Sequence, residues 1–471
     1  MSGSNVKWLP HLKAEMIPKK AHGNNLSMYS VALEGWRRGL KLKFFTALHE
    51  GKYEIQFSLA GKNKLHFFEV SKGDKVQESA VSICNDKAKS KKYLQEAGLP
   101  VPRGRKFKLG TEEDKIISFA NEIGYPVVVK PSNGKLGKNV FTEIKSEKEL
   151  IRIVRKLKEE SNDDILIEEY IEGHDYRIYV LDNKVISVIK REPANVVGDG
   201  KHTIEELIHI KNEQRKKNPN LRTRPIKIDD DIISNLKKNN YSLQTVLDFE
   251  EKLYLRSKCN ISSGGDPIDV TSEFPSHLKE IAVKAVDTIP GLIQSGIDMI
   301  VDSNKNGYII EMNIRPGIGS HLFPVKGDAI DVPKAIIDYY FPETTNNNRT
   351  DLYFNFDKIH DILRRGFLKE IVVSNANETD NMIKKYFEAY GDVNTNRFHN
   401  WLLKQTLNLN LYGFAKNLEN GTKCILVYGD TKNVKEFNEL LAKNVPLMEN
   451  VRYQNNYLDI PLKASFEIID K

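Results

Sequence analysis

"GIDMIVDSNKNGYIIEMNIRPG", residues 296–317, is the stretch from which the fold of this chain can be read. Two apolar runs flank the polar turn "DSNKNG", a pattern that predicts antiparallel strands joined by a short loop. Asp298 lies inside the first run. Glu311 and Asn313 stand two apart on the second and so point to one face. Acidic and amide groups on an apolar strand are costly to bury unless a cation meets them. Strand pairing could bring Asp298 opposite Glu311 and Asn313. Three such oxygen donors suit a hard divalent cation, above all one shared with phosphates. A structural ion pair is the alternative reading of the same residues.

Upstream, "YPVVVKPSNGKLGKNV" (125–140) combines a β-branched run with a loop of small and basic residues. Val127, Val128 and Val129 cannot alternate between faces, which predicts a strand covered on both sides. Pro131 breaks the strand. Lys130, Ser132, Gly134 and Gly137 then lie at a mouth where glycines allow close backbone approach and lysines neutralise charge, as a phosphate requires. The loop lacks the Gly-Lys-Ser/Thr ending of a P-loop, and a solvated turn fits it equally. "ILIEEYIEGHDYR" (165–177) is an apolar strand running into Glu168, Glu169, Tyr170 and Ile171, with Asp175 beyond. Such a hinge could read an adenine edge, and its carboxylate could bind ribose hydroxyls. A bare strand end is the plainer alternative.

At 471 residues the chain is too long for one core. Its 40% hydrophobic and 29% charged residues describe a globular protein without a membrane-spanning run. Cys84, Cys259 and Cys424 are far apart, which argues against a zinc site or disulfide framework and for the cytoplasm. The net charge of +7 is spread along the chain, which fits a small anion at least as well as nucleic acid. The run "KAKSKK" (87–92) reads as a solvated helix face. Short strands joined by tight turns, such as the Asp-Asn turn in "YVLDNKVISV", favour an α+β fold over a doubly wound sheet. "SMYSVALEGWRRGL" reads as a helix with Tyr29, Ala32, Leu33 and Trp36 on one face. "ETTNNNRT" (343–350) is the clearest linker, and the tail from about 385 reads strand, helix, strand, strand, helix, strand.

Taken together, these segments resemble an ATP-grasp enzyme. "SICNDKAKSKKYLQEAGLPVPRGRKF", "NVVGDGKHTIEELI", "LYLRSKCNISSGGDPIDVT" and "HLFPVKGDAIDVPKAIIDYYFP" are similar to the ATP-grasp part of cyanophycin synthetases and to the glutathione-synthetase half of the bifunctional glutamate–cysteine ligase/glutathione synthetases. The resemblance implies an N-terminal α/β region (1–84), an ATP-grasp domain (85–342), a connecting segment (343–384) and an acylphosphatase-like domain (385–471).

By position, the resemblance implies that Lys87 and Lys130 hold ATP phosphates, with Ser132, Gly134 and Gly137 in the phosphate loop. Glu168, Glu169, Tyr170 and Ile171 match the adenine hinge, and Asp175 the ribose carboxylate. Asp298, Glu311 and Asn313 match the ligands of two Mg²⁺ ions, with Mn²⁺ a possible substitute. Arg177, Lys190, Arg191, Arg256, Asn260 and Arg315 fall where the family gathers cations and amides around the transferred phosphate and the acyl substrate. The implied activity joins a carboxylate (an amino acid or short peptide) to an amine through an acyl phosphate. Nucleic acid and membrane are not expected as partners, and a homo-oligomer is compatible with the family. Two alternatives are a modifier of a protein carboxyl terminus and a non-catalytic nucleotide-binding regulator.

The tail resembles an acylphosphatase, with departures. "LYGFAKNLENG" matches the segment that carries the catalytic asparagine, here Asn417. The phosphate loop reads "GDVNTNRFH" (391–399), with Thr395 and Arg397 in place of two glycines and His399 in the arginine position. Poor phosphatase activity is expected.

Overall fold

The computed structural model describes residues 6–49, 51–132, 139–160, 163–375, 381–445 and 462–469. Gly134 and Gly137 of the expected phosphate loop lie outside the described residues. The chain divides into two compact units: Met1–Ile17, His22–Met28 and Phe68–Tyr339 form one, and Pro18–Ala21, Tyr29–Phe67 and Tyr340–Lys471 the other.

The first unit holds two antiparallel sheets. The smaller has the order Gly104–Phe107, Ile165–Glu169, Val127–Pro131, Phe141–Ile144. Helices Glu113–Ile123 and Glu147–Glu160 share a core with Val127, Val129, Ile165 and Ile167 on one face of this sheet. The expected covering of both faces holds: on the second face Val128 is half-buried, and Lys130 and Glu168 are buried. The valines do alternate, since β-branching suits a strand whether one or both faces are packed.

The larger sheet has the order Asp266–Asp269, Lys184–Glu192, His174–Leu181, Gln294–Val301, Gly307–Asn313. Helix Ser276–Thr288 covers one face, where Ile178, Val188, Ile297, Met299 and Ile309 are buried. Each such side chain contributes about 1.5–3 kcal/mol of burial. The Asp-Asn turn is as expected: Asp182 and Asn183 have φ of 48° and 57°, the left-handed pair that a two-residue hairpin needs. A third core forms within residues 194–255, where helices Ile204–Lys216 and Asp230–Lys238 pack by the hairpin of Asn195–Val197 and Lys252–Tyr254. A capping box from Thr203 and Glu206 starts the first of these helices.

In the second unit, strands Glu370–Val373, Lys41–His49 and Lys52–Ala60 are sheet neighbours in that order. Residues 343–384, expected to be a connecting segment, therefore include a strand paired with Lys41–His49, and also helix Phe356–Arg364. The rings of Tyr29, Trp36, Phe44, Phe354 and Phe356 pack at steep angles with centroids 5.1–5.8 Å apart in this unit. Helix Leu26–Arg37 is buried on all sides, not on one face alone. The tail has the expected alternation: Met382–Ala389, Asn396–Asn408, Tyr412–Asn417, Lys423–Asp430, Thr431–Asn444, Phe466–Ile469.

Candidate active site

The face of the larger sheet opposite helix Ser276–Thr288 carries the carboxylates. Asp298 is directly opposite Glu311, and Asn313 opposite Gly296, so the register brings all three to one face as expected. The neighbouring strands add Arg177, opposite Asp298, and Asp175, opposite Arg191. Arg177 clasps Asp298 with Nε and, at 3.0 Å, with Nη2. Arg191 lies 3.3 Å from Asp298 and donates to Asp175 at 2.7 Å. Asn313 Nδ2 is 3.5 Å from Asp298. Burial raises the Asp298 carboxyl, but the two guanidinium charges outweigh it and hold the group below the usual carboxylate range. Asp175 goes the other way: burial, helped by the charge of Asp298, raises it against the pull of Arg191.

The face of the smaller sheet opposite helices Glu113–Ile123 and Glu147–Glu160 carries a buried trio. Glu168 is gripped by Lys91 and, at 2.5 Å, by Lys130. Glu168, Lys130 and Lys91 are 4%, 6% and 8% exposed. Burial pushes the Glu168 carboxyl up, and the two ammonium charges more than reverse it. Burial also pulls the Lys91 ammonium below its usual value, against the attraction of Glu168. A lone buried carboxylate would cost several kcal/mol. Two lysines offset that cost and leave the trio with a surplus positive charge, a desolvated place for an anion.

Lys91 is not among the site residues expected from sequence, and the solvated reading of "KAKSKK" fails for it. The available signal is its spacing of four from Lys87, which places both on one side of helix Lys87–Glu96. That helix joins the two faces. Lys87, in its first turn, lies 3.7 Å from Glu311, and Lys91, one turn on, meets Glu168. Asp86 caps the helix by accepting from Ala88 and Lys89 N–H.

Beyond Glu168 the strand ends. Glu169 N–H donates to Arg103 O at 2.8 Å and its carboxylate meets Arg103, so that side chain is occupied away from the trio. Tyr170 N–H donates to Pro126 O and its hydroxyl to Glu143, which leaves Ile171 at the outward bend, half-buried. Ser132 Oγ is buried and, among the described residues, lacks a hydrogen-bond partner. This orphaned hydroxyl beside Lys130 fits a phosphate oxygen.

Four expected site residues stand apart. Lys190 neighbours Arg191 on a strand, so its register puts it on the opposite face, 3.9 Å from Glu192. Arg256 pairs with Asp229 at 2.6 Å and with Lys227 O, beside helix Asp230–Lys238. Asn260 opens the turn Ile261–Ser263, where its carbonyl accepts from Gly265 N–H. A Cβ on Gly265 would come within 2.7 Å of Glu192 O, so this turn closes only on glycine. Arg315 lies two residues past Asn313 and pairs with Glu69 at 2.7 Å.

The donor set suits magnesium: two carboxylates and an amide oxygen on one ladder, with no nitrogen or sulfur ligand. No three His, Cys, Asp or Glu side chains gather as a complete cage among the described residues, so phosphate and water oxygens would have to complete the coordination. Burial pushes the thiols of Cys84 and Cys259 up to about 12 and that of Cys424 to about 11, which removes them as thiolate nucleophiles.

In the tail, Thr395 caps helix Asn396–Asn408, which places Arg397 and His399 in its first turn. Asn417 is opposite Lys423 on the next strand. Lys423 is fully buried, and its Nζ lies 2.9 Å from His399 Nε2. Nothing in the sequence pattern pointed to this lysine.

Comparison with known proteins finds two family models in the chain. The RimK-like ATP-grasp domain model matches residues 84–217, and the acylphosphatase model residues 385–468. A cyanophycin synthetase of Crocosphaera subtropica is 37% identical over 274 residues, 56% of this chain and 31% of that protein. A bifunctional glutathione biosynthesis protein of Clostridium perfringens is 31% identical over 326 residues, 67% of this chain and 41% of that protein. The chain thus spans less than half the length of either relative. A crystal structure of a bifunctional glutathione synthetase from Pasteurella multocida aligns with a TM-score of 0.48 and 24% identity over 61% of this chain and 40% of that one. No described helix is long and apolar enough to cross a membrane. The chain carries a RimK-like ATP-grasp domain followed by an acylphosphatase domain.

Proposed function

We propose that the chain is an ATP-dependent carboxylate–amine ligase that forms an amide bond on an amino acid or short peptide. One observation carries the reading: a single helix presents Lys87 to Glu311 and Lys91 to the Lys130–Glu168 pair, so the carboxylate ladder and the lysine cluster lie about one helical turn apart. A triphosphate with its metal spans such a gap.

Lys91, Lys130 and Ser132 bind the nucleotide phosphates, Glu169 to Ile171 bracket the base, and Asp175 faces the ribose. Asp298, Glu311 and Asn313 hold the divalent cation, taken as two magnesium ions. Bound metal neutralises phosphate charge and polarises the transferring group. Arg177 and Arg191, held in place by Asp298 and Asp175, stand ready to meet a second anion. The substrate carboxylate oxygen attacks the γ-phosphorus, and ADP leaves. An amine nitrogen then adds to the acyl carbon, phosphate departs with the C–O bond electrons, and the ammonium proton is lost. No covalent enzyme intermediate is needed.

The test is ADP release by the full chain across pairs of amino acids and dipeptides with Mg-ATP, with mass spectrometry of products. Absence of acid- and amine-dependent ADP release throughout the screen overturns the reading. Product found only on an added protein tail points to the protein carboxyl-terminus alternative.

A further inference from the structure

A β-branched residue in the left-handed region is a conformation that needs a reason, and Val70 has φ of 59°. It lies at the tip of a tight hairpin in which Phe68 pairs with Gly73 and Glu69 with Lys72. Such a conformation persists only where the surroundings over-determine it. Here they do. Ser71, fully buried, donates through Oγ to Pro316 O at 2.7 Å and accepts at its own carbonyl from Gln294 Nε2 at 2.8 Å. Gln294 opens the strand that carries Asp298, and Pro316 follows Arg315. The hairpin is therefore stapled to the strand of Asp298 and to the segment that follows the strand of Glu311 and Asn313. Its Glu69, 8% exposed, lies 2.7 Å from Arg315 Nη1 and 3.4 Å from Lys72.

We propose that the strained hairpin Phe68–Gly73 is a positioning device, in which Glu69 fixes the guanidinium of Arg315 just past the end of the strand that carries Glu311 and Asn313. Arginine has many rotamers, and a planar fork is useful to an anionic substrate only when it is held in advance. Pro316 packs against Gly296, where a Cβ would approach Pro316 Cβ to 2.7 Å, so the backbone beyond Arg315 is fixed as well. Glu69 adds a constraint on the side chain. A glycine at 70 would relieve the strain. Valine retains a stiff backbone that cannot move without dragging Glu69 and Ser71 with it. The role of Arg315 in turnover rests on the ligase reading above, whereas its restraint by Glu69 does not.

The experiment uses the full chain labelled with [¹⁵N]arginine. The Arg315 Nη–H signals are assigned by their loss in Arg315→Lys. In Glu69→Gln those signals are expected to exchange with water about tenfold faster than in wild type, the scale of losing one charged partner. An unchanged signal overturns the proposal. If Glu69→Gln fails to fold, Glu69→Asp replaces it: the charge remains but is withdrawn by one methylene. Exchange faster than in wild type supports the proposal and exchange equal to it overturns it.

With any substrate pair from the ADP-release screen, the double variant Glu69→Gln, Arg315→Lys is expected within about twofold of Arg315→Lys alone, as for residues that act as one unit. Losses that multiply overturn the proposal. Wild type with no substrate-dependent ADP release defeats the ligase reading, while the exchange measurement still decides the hairpin.

Discussion

In the ATP-grasp domain, cations and acids interlock across strands. Glu168 is shared by two lysines, Asp298 by two arginines, and Glu311 meets Lys87. In the acylphosphatase domain, the corresponding cradle has been rebuilt. Thr395 and Arg397 replace small residues, and a buried lysine from a neighbouring strand faces His399. The first region keeps acid partners that hold its cations ready for a polyanion. The second combines an amine, an imidazole and a helix amino terminus. The difference poses the question whether charge alone makes a phosphoryl-transfer site. The acids that restrain the cations matter as much as the cations themselves.

The sharpest way to break this comparison is to remove an acid from the ladder. Glu311→Gln is expected to lower amine-dependent ADP release by about a hundred- to thousandfold, the scale of one lost electrostatic element in a transition state. Circular dichroism should find the fold intact, because the Glu311 side chain is 36% exposed. Asp298→Asn should behave differently. It strands Arg177 in a buried setting and leaves Arg191 paired with Asp175 alone, and should cost about 3–5 kcal/mol of stability in urea unfolding.

Lys91 sharpens the comparison further. Lys91→Met is expected to raise the KM for ATP by about tenfold or more, the scale of a lost charge-assisted contact. Lys92→Met, a change at an exposed neighbour, should leave KM unchanged. Full affinity in Lys91→Met would return the helix to the solvated role read from sequence.

The next effect is on pH dependence. The folded Glu168 carboxyl lies below its unfolded value near 4.3. Its stabilisation is therefore complete above that value and is lost as pH falls through the folded value. Urea midpoints of the wild type should fall more steeply between about pH 5 and pH 3 than those of Glu168→Gln. Equal slopes would show that the two lysines do not hold it down.

The smallest effects belong to the tail. Benzoyl phosphate should be hydrolysed slowly, and Asn417→Ala should change amine-dependent ADP release by less than about twofold, as independent sites do. Rapid hydrolysis that Lys423→Met abolishes would make the rebuilt pocket a working one.

Much of the site was legible because strand chemistry is local. A period of two placed Glu311 and Asn313 on one face, and the turn "DSNKNG" made the Asp298 strand their neighbour, while a register shift between Asp298 and Met299, seen only in the structure, brings Asp298 opposite Glu311. The same period puts adjacent Lys190 and Arg191 on opposite faces, so one strand cannot deliver both to a single site. The hairpin at Asp182-Asn183 and the alternation of the tail followed from equally short patterns. Lys91 and the pinning of Arg315 could not be read in this way. Lys91 and Glu168 are 77 residues apart, and Glu69 lies well outside the stretch that carries Arg315.

The sequence by itself determined the strands, their turns, and the acids and amide that face one side of the larger sheet. Backbone alternation and turn chemistry act over a few residues. Tertiary structure decided which lysines are desolvated, which acids hold which arginines, and where a strained valine is worth keeping. Those choices depend on burial and on charge at distances of a few ångströms, between segments that meet only after the chain has folded.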